Sequence, residues 1–509
     1  MSIRVFDTLR RKKIDFAPLD PKNVRLYVCG PTVYGLIHIG NARPLVVYDV
    51  VTRYLRTRFP KVTYVRNITD VEDKIIKRAA ESGEDPIAFA ARFAGEYHRD
   101  AAALGCLPPD LEPRVTENIP EIIALIETLV GRGVAYVVEG QGEGRDVNYS
   151  VAAFPHYGEL SGQPLDQLEV GARVDVDARK KNPLDFALWK AAKKGEPSWP
   201  SPWGPGRPGW HIECSAMAEK FLGVDFDLHG GGVDLVFPHH ENERAQSQGA
   251  HGAGTFARHW LHNGFVNFND RKIAKSDEKM RHLLATAFVV RVLTGRHGGE
   301  AVRFFLLTTQ YRHPINFEVY DQGDELRFPS LEEAEQKLEY GYLTRRRLDE
   351  ALSVGGAAQA TSEGPIVDEA RAWPGELQEA LDDDFNTAGA LAALQQGLAV
   401  ANRLLDGKLP APKDVKRRTL ARLKSDLAMA SQALGLLEAD PSTWLAAHRT
   451  RRASARKLDV ASIEGAIAER SAARAAKNFV HSDEIRDRMK SLGVELMDTA
   501  AGTTWRVAD

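Results

Sequence analysis

The sequence predicts an α/β domain built on a doubly wound parallel sheet, interrupted by an inserted module and followed by a mostly helical region and a small end piece. Three observations carry this. The β-branched run Val24–Val28 ends at Cys29-Gly30-Pro31, helical spacing follows through Val47, Val51 and Tyr54, and a second strand-like run covers Val62–Val65. Strand, glycine turn, helix and strand form the βαβ unit of a parallel sheet, whose ligands bind at the carboxyl ends of the strands. The stretch Pro197–Trp210 is dense in Pro, Gly and Trp, so it is neither helix nor central strand but a rigid loop. Beyond Leu331 the apolar spacing is helical almost throughout.

Taken in order, residues 1–119 hold the first half of the α/β domain, with a helix expected over Asp85–Gly105. Residues 120–204 read as the insertion: a helix over Pro120–Arg132, then short strands and turns from Val137 to Leu188. The second half, 205–265, contains a helix at His211–Phe221, a strand at Phe226–His229 and a helix at Pro238–Gln248. Residues 266–320 include a polar loop, 321–448 are helical, and 449–509 form a charged end piece. Helices are expected over Leu331–Glu350, Glu376–Asp406 and Asp414–Leu437, with Gly355–Gly364 as a flexible link.

A chain of 509 residues exceeds the ~250–300 residues at which single cores stop growing, so several domains are expected. Apolar runs are too short for a membrane span, and the charged Met1–Arg11 does not resemble a signal peptide. A cytoplasmic protein without membrane attachment is expected. Three cysteines form no disulfide framework. The net charge of −3 argues against broad polyanion binding, yet Arg449–Lys490 carries 11 basic against six acidic residues. That local excess suggests contact with a polyanion.

Three constellations carry chemistry. His38-Ile39-Gly40-Asn41 opens the first helix, where free backbone N–H groups attract phosphate. Lys272-Ile273-Ala274-Lys275-Ser276 lies in a polar loop, and its lysines can balance the charge that develops as pyrophosphate departs. Cys29, Cys214 and Pro238-His239-His240-Glu241-Asn242-Glu243 offer two thiolates, an imidazole and a carboxylate, a donor set suited to zinc. Either His239 or His240 can share a helical face with Glu243, and spacing does not choose between them. Cys106 reads as a core residue.

With these signals in this order, the chain resembles class I aminoacyl-tRNA synthetases, and within them the cysteinyl-tRNA synthetase family, along nearly its whole length. The likeness rests on Tyr27–Tyr34, Asn67–Asp70, Gly209–Ser215, His229–Asp234 and Phe237–Glu243. It implies a Rossmann catalytic domain with an insertion, a stem-contact region, a helical bundle and a small anticodon-binding domain. It also implies one zinc ion per chain on Cys29, Cys214, His239 and Glu243, selecting the first histidine of the pair. Thr69, Trp210 and His229 match the cysteine pocket, His38 and Lys275 the ATP-phosphate site, and Gly40 and Asp234 complete the nucleotide site. ATP, accompanied by magnesium, cysteine and tRNA(Cys) are the implied substrates, and a monomer is expected. Arg474, Phe479, Asp483, Asp498 and Trp505 offer the guanidinium, aromatic and carboxylate groups that reading RNA bases requires; the first four match anticodon contacts of the family, and Trp505 fits its closing segment.

Two departures stand out. Asn41 replaces a second histidine common in the first motif, and Ile273-Ala274 with Asp277-Glu278-Lys279 alters the second, although Lys272 and Lys275 remain. A related ligase that joins cysteine to an amino sugar would lack the end piece present here. An RNA-binding protein without catalysis would not need His38, Lys272 and Lys275.

Overall fold

The computed structural model describes residues 2–162, 178–268, 287–321, 326–353, 364–499 and 502–507. A hairpin of β1 (Arg4–Asp7) and β2 (Lys12–Asp15) precedes β3 (Val24–Val28), α1 (Ile39–Arg58) and β4 (Val62–Arg66). Helices α2 (Asp73–Ser82), α3 (Pro86–Ala103) and α4 (Ile119–Gly131) follow. The insertion forms an antiparallel sheet of β5 (Ala135–Glu139), β6 (Arg145–Tyr149), β7 (Phe186–Ala191) and β8 (Gly206–Pro208). The chain then returns through α5 (Trp210–Leu222), β9 (Asp225–Gly232), α6 (Glu241–His251) and β10 (Phe256–Asn263).

The main sheet has the order β10-β9-β3-β4, with every pair parallel. Strand order reverses between β3 and β9, which opens a crevice at their carboxyl ends. Both faces are covered, as a parallel sheet requires. Leu26 and Leu228 pack with Val46 and Val50 of α1, while Tyr27, Val65 and Phe226 face Ile122, Ile126, Met217 and Ala245 of α4, α5 and α6.

Two expected helices are reshaped. The segment Pro238–Gln248 is not one helix: α6 begins at Glu241, and Val236–His240 is a wide turn with Phe237 extended. Pro238 pushes the residue before it out of the helical region. Further on, β11 (Val266–Phe268) pairs with β12 (Ile315–Phe317) around α7 (Val290–His297) and α8 (Gly299–Leu307), and α9 (Pro329–Ser353) starts the helical region. The expected helix Glu376–Asp406 is two, α10 (Glu369–Asp382) and α11 (Thr387–Leu405). Asp384 and Phe385 adopt left-handed φ of 65° and 50° between them. The break is imposed by burial of the Asp384 carboxylate, which accepts from Phe6 N (2.7 Å), Arg312 Nε (2.7 Å), Tyr311 OH (2.9 Å) and Gln310 Nε2 (3.0 Å).

Helix α12 (Lys413–Leu434) completes the bundle, and α13 (Pro441–Ala455) runs across the expected boundary at residue 449. The end piece pairs α14 (Val460–Ala475) and α15 (Phe479–Ser491) with a hairpin of β13 (Val494–Thr499) and β14 (Gly502–Val507). Ile463, Ile467, Ile485 and Met489 form its core. Val480 and Leu492 stay outside it, 73% and 51% exposed, because Val480 sits in the first turn of α15 and Leu492 at its C-cap, clear of the packed face. Apart from Gly364, the expected link Gly355–Gly364 lies outside the described residues.

Candidate metal centre and active site

Four segments converge at the crevice between β3 and β9. Cys29 is the first residue past β3, and its N–H donates to Gly230 O at 3.1 Å. Gly230 is required there, since a Cβ would meet the Tyr48 ring at 2.3 Å. Cys214 lies buried within α5, while His239 and Glu243 approach from the wide turn and α6. Donor atoms of Cys29, Cys214, His239 and Glu243 all fall within 4.8 Å of one another.

Glu243 is the hub of this group. Its Oε1 lies 3.3 Å from Cys29 Sγ and 3.0 Å from His239 Nε2, and its Oε2 lies 2.8 Å from His229 Nε2. His240 enters a second set with Cys29, His229 and Glu243. Its Nε2 is 3.3 Å from Cys29 Sγ, and its Nδ1 meets His262 Nε2 at 2.7 Å. The set with His239 contains two thiols instead of one, so it fits zinc better.

The charges of the metal-free group follow from burial and neighbours. Burial, reinforced by Cys214 and Glu243, holds the Cys29 thiol well above its usual range. Burial also pushes Cys214 up, but hydrogen bonds with Cys29 and His239 outweigh it and bring the thiol down to about 6. For His239, burial lowers the pKa, yet Glu243 and Cys214 raise it to about 10. Glu243 stays well below the ordinary carboxylate range despite burial, because His229 and His239 face it. A dication replacing the Cys29 and His239 protons would offset two of the three negative charges on the two sulfurs and the carboxylate.

The expected cysteine-pocket residues surround this centre. Trp210, the first residue of α5, stacks on His239 with ring centroids 4.3 Å apart, and buried His229 stacks on Trp260 at 4.8 Å. Thr69 is buried just past β4, its hydroxyl 3.4 Å from Glu213 Oε2. Asp234 is exposed in the turn after β9, its Oδ1 only 2.4 Å from where a Gly232 Cβ would sit.

Past Cys29, at the same carboxyl end of β3, the polypeptide enters α1 through a closed cap. His38 Nδ1 accepts from Gly40 N at 3.1 Å, and Asn41 Oδ1 accepts from His38 N at 3.2 Å. Asn41 therefore shapes the turn, a role for which a short carboxamide is well suited. Lys272 and Lys275 lie outside the described residues. The flanks of that stretch meet beside the cap: Phe268 and Phe288 are 4.2 Å apart between ring centroids, and Phe288 O accepts from Ile39 N at 2.9 Å.

In the end piece, Arg474 Nη1 bonds Asp498 Oδ2 at 2.7 Å, Phe479 is 61% exposed, and Asp483 is exposed. Trp505 is only 3% exposed, and its Nε1 donates to Glu464 Oε1 at 2.7 Å. Its ring belongs to the core of the end piece and is not presented for stacking. The sequence reading assigned no role to His211, whose Nδ1 is 3.0 Å from His239 Nδ1, or to His262, Asn67 and Glu213. His211, Asn67 and Glu213 stood within the quoted motifs, whereas His262 carried no local signal.

Residues 15–322 match the family model described as tRNA synthetases class I (C) catalytic domain, and 376–438 match the DALR domain. Curated proteins named cysteine–tRNA ligase are similar from end to end. That of Anaeromyxobacter sp. (strain K) is 50% identical over 511 residues and that of Geobacter sulfurreducens 45% over 507, each match covering 100% of both chains. The Methylococcus capsulatus relative is 47% identical over 506 residues, 99% of each. A structure of Mycobacterium tuberculosis methionyl-tRNA synthetase bound by methionyl-adenylate shares the fold at 16% identity, with a TM-score of 0.57 over 81% of this chain and 92% of that one. With a catalytic-domain match across most of the α/β region and full-length identities of 45–50%, the chain belongs to the cysteine–tRNA ligase family of class I tRNA synthetases.

Proposed function

We propose that this chain activates cysteine with ATP and transfers it to tRNA(Cys), with one zinc ion held by Cys29, Cys214, His239 and Glu243. The observation that carries the reading is the two-thiol, imidazole and carboxylate set at the sheet crevice, buried but for half-buried Cys29 and flanked by Trp210 and His229. A pocket judging size alone separates cysteine from serine by only ~1–3 kcal/mol. When bound, zinc supplies a Lewis acid that favours a thiolate over a hydroxyl.

Thr69, Trp210 and His229 line the cysteine pocket. Glu243 divides its oxygens between the donor set and His229, which makes it the protein donor best able to change its contact when the substrate sulfur enters. The cysteine carboxylate attacks the α-phosphorus of ATP, the bond to the β-phosphate oxygen breaks, and cysteinyl-adenylate and pyrophosphate form. A ribose hydroxyl at the tRNA end then attacks the carbonyl carbon, AMP leaves with the bonding pair, and the hydroxyl proton passes to solvent.

His38 and Gly40 set the positive end of the α1 dipole beside the phosphates while Asn41 holds that turn closed, Lys272 and Lys275 balance the departing charge, and Asp234 holds the ribose. Magnesium accompanies ATP. Arg474, Phe479, Asp483 and Asp498 read the anticodon by stacking and polar contacts, with Trp505 supporting them from the core. The chain acts as a monomer in the cytoplasm; three cysteines without a disulfide framework support a reducing compartment. Charging of purified tRNA(Cys) with labelled cysteine tests this reading. Cysteine-dependent charging is expected, and charging with serine at comparable efficiency would contradict it.

A further inference from the structure

Asn67 is the first residue past β4 and is fully buried between two functional segments. Its Oδ1 accepts from Gly30 N at 2.9 Å, and Gly30 is the residue after Cys29. The approach is so close that a Cβ on Gly30 would sit 1.6 Å from Asn67 O. Cys214 Sγ lies 3.7 Å from the same Oδ1. On its other side, Asn67 Nδ2 donates to Thr69 Oγ1 at 3.3 Å, and that hydroxyl lies 3.4 Å from Glu213 Oε2.

These contacts fix directions as well as positions. The Gly30 N–H can only donate, so Oδ1 must face it and Nδ2 must face Thr69. Thr69 then accepts from Asn67 and turns its own proton to Glu213. A hydroxyl has one proton and two lone pairs, so Thr69 keeps a single acceptor lone pair for a ligand. Among side chains of this size, a carboxamide supplies both the acceptor for Gly30 and the donor for Thr69 without depending on a titrating proton, whereas a carboxyl group does so only while protonated.

We infer that Asn67 is a positioning residue for cysteine recognition: it pins the Cys29 loop through Gly30 and sets the Thr69 hydroxyl as an acceptor towards the substrate. This rests on the reading of Thr69 as part of the cysteine pocket. Once ionised, the carboxylate of Asn67→Asp keeps the acceptor for Gly30 but replaces the donor to Thr69 with a second acceptor. Thr69 then gives its proton to residue 67, and Glu213 loses its partner.

The test is a double-mutant cycle in the full-length zinc-loaded protein with Asn67→Asp, Thr69→Val and the pair. Zinc per chain, cysteine binding by calorimetry without ATP, and KM for cysteine and for ATP in pyrophosphate exchange are measured for each. Asn67→Asp should retain its zinc and its KM for ATP while cysteine binding weakens about five- to tenfold, the size of one neutral hydrogen bond. In the Thr69→Val background the same substitution should add no further loss. An unchanged cysteine affinity in Asn67→Asp, or losses that multiply in the pair, would overturn the inference. If Asn67→Asp does not fold, Asn67→Ser is measured on its own: it loses the Gly30 contact as well, so cysteine affinity should fall at least about fivefold with KM for ATP kept, and an unchanged cysteine affinity would overturn the inference. Parent protein that neither binds cysteine nor exchanges pyrophosphate would overturn the functional reading itself and this inference with it.

Discussion

His229 Nε2 lies 2.8 Å from Glu243 Oε2 with both side chains fully buried, so the carboxylate that faces the metal donors is also tied to the expected cysteine pocket. Glu243→Ala removes a donor and leaves two imidazoles without their carboxylate. Dialysis against a chelator that leaves the parent loaded should strip most zinc from this variant, and from Cys214→Ser, where a hard hydroxyl replaces a soft ligand. Metal content equal to the parent in both variants would remove the assignment.

Zinc loading should release about two protons per ion at pH 7, one from the raised Cys29 thiol and one from His239 at about 10. Cys214, at about 6, and Glu243 are already ionised there. Both raised groups must lose protons to become ligands, so affinity should rise with pH by about two decades per unit near neutrality. Below about 6 a third proton, from Cys214, makes the fall steeper. Calorimetry in buffers of different ionisation enthalpy measures the release, and no proton release at pH 7 would contradict the charge assignment.

The sheet, the insertion and the donor set were legible because each has a strong local signal: β-branched runs, a Pro/Gly boundary, and soft ligands near a strand end. What was not legible depended on distant partners. The break at Asp384 follows from a carboxylate that reaches Phe6, some 378 positions away. Trp505 was expected to meet RNA, yet β14 alternation and Glu464 place it in the core. The choice between His239 and His240 came from the family likeness; a helical wheel left both open, and both lie among donors in the structure, the set with His239 being the one that includes Cys214.

Asp384→Ala should destabilise the contact between the helical region and the catalytic half. It leaves Arg312, Tyr311, Gln310 and the Phe6 N–H facing an empty, buried position. Breaking a buried charged pair of this kind costs about 3–5 kcal/mol. Differential scanning calorimetry should record an earlier first transition, and an unchanged profile would contradict the structural role.

Lys275→Ala should slow single-turnover adenylation on the order of 10²–10³-fold while leaving cysteine affinity nearly unchanged, since the charge it meets develops only as pyrophosphate separates. A normal adenylation rate would remove it from the chemistry.

Removing Leu458–Asp509 should preserve cysteine-dependent pyrophosphate exchange but sharply weaken tRNA charging. The cut spares α13, whose Trp444 and His448 stack against each other and continue onto Tyr342 of the helical region. Charging at the parent's efficiency would mean that the end piece does not read tRNA.

The central claim is that a zinc-bearing site in this chain activates cysteine and rejects serine. It is tested most directly by ATP–pyrophosphate exchange with the purified, zinc-loaded chain, comparing the two amino acids. Exchange driven by cysteine, lost on zinc removal and absent with serine beyond the ~10–200-fold discrimination that size alone provides, is the expected result. Equal exchange with serine, or full cysteine exchange after complete zinc removal, would contradict it.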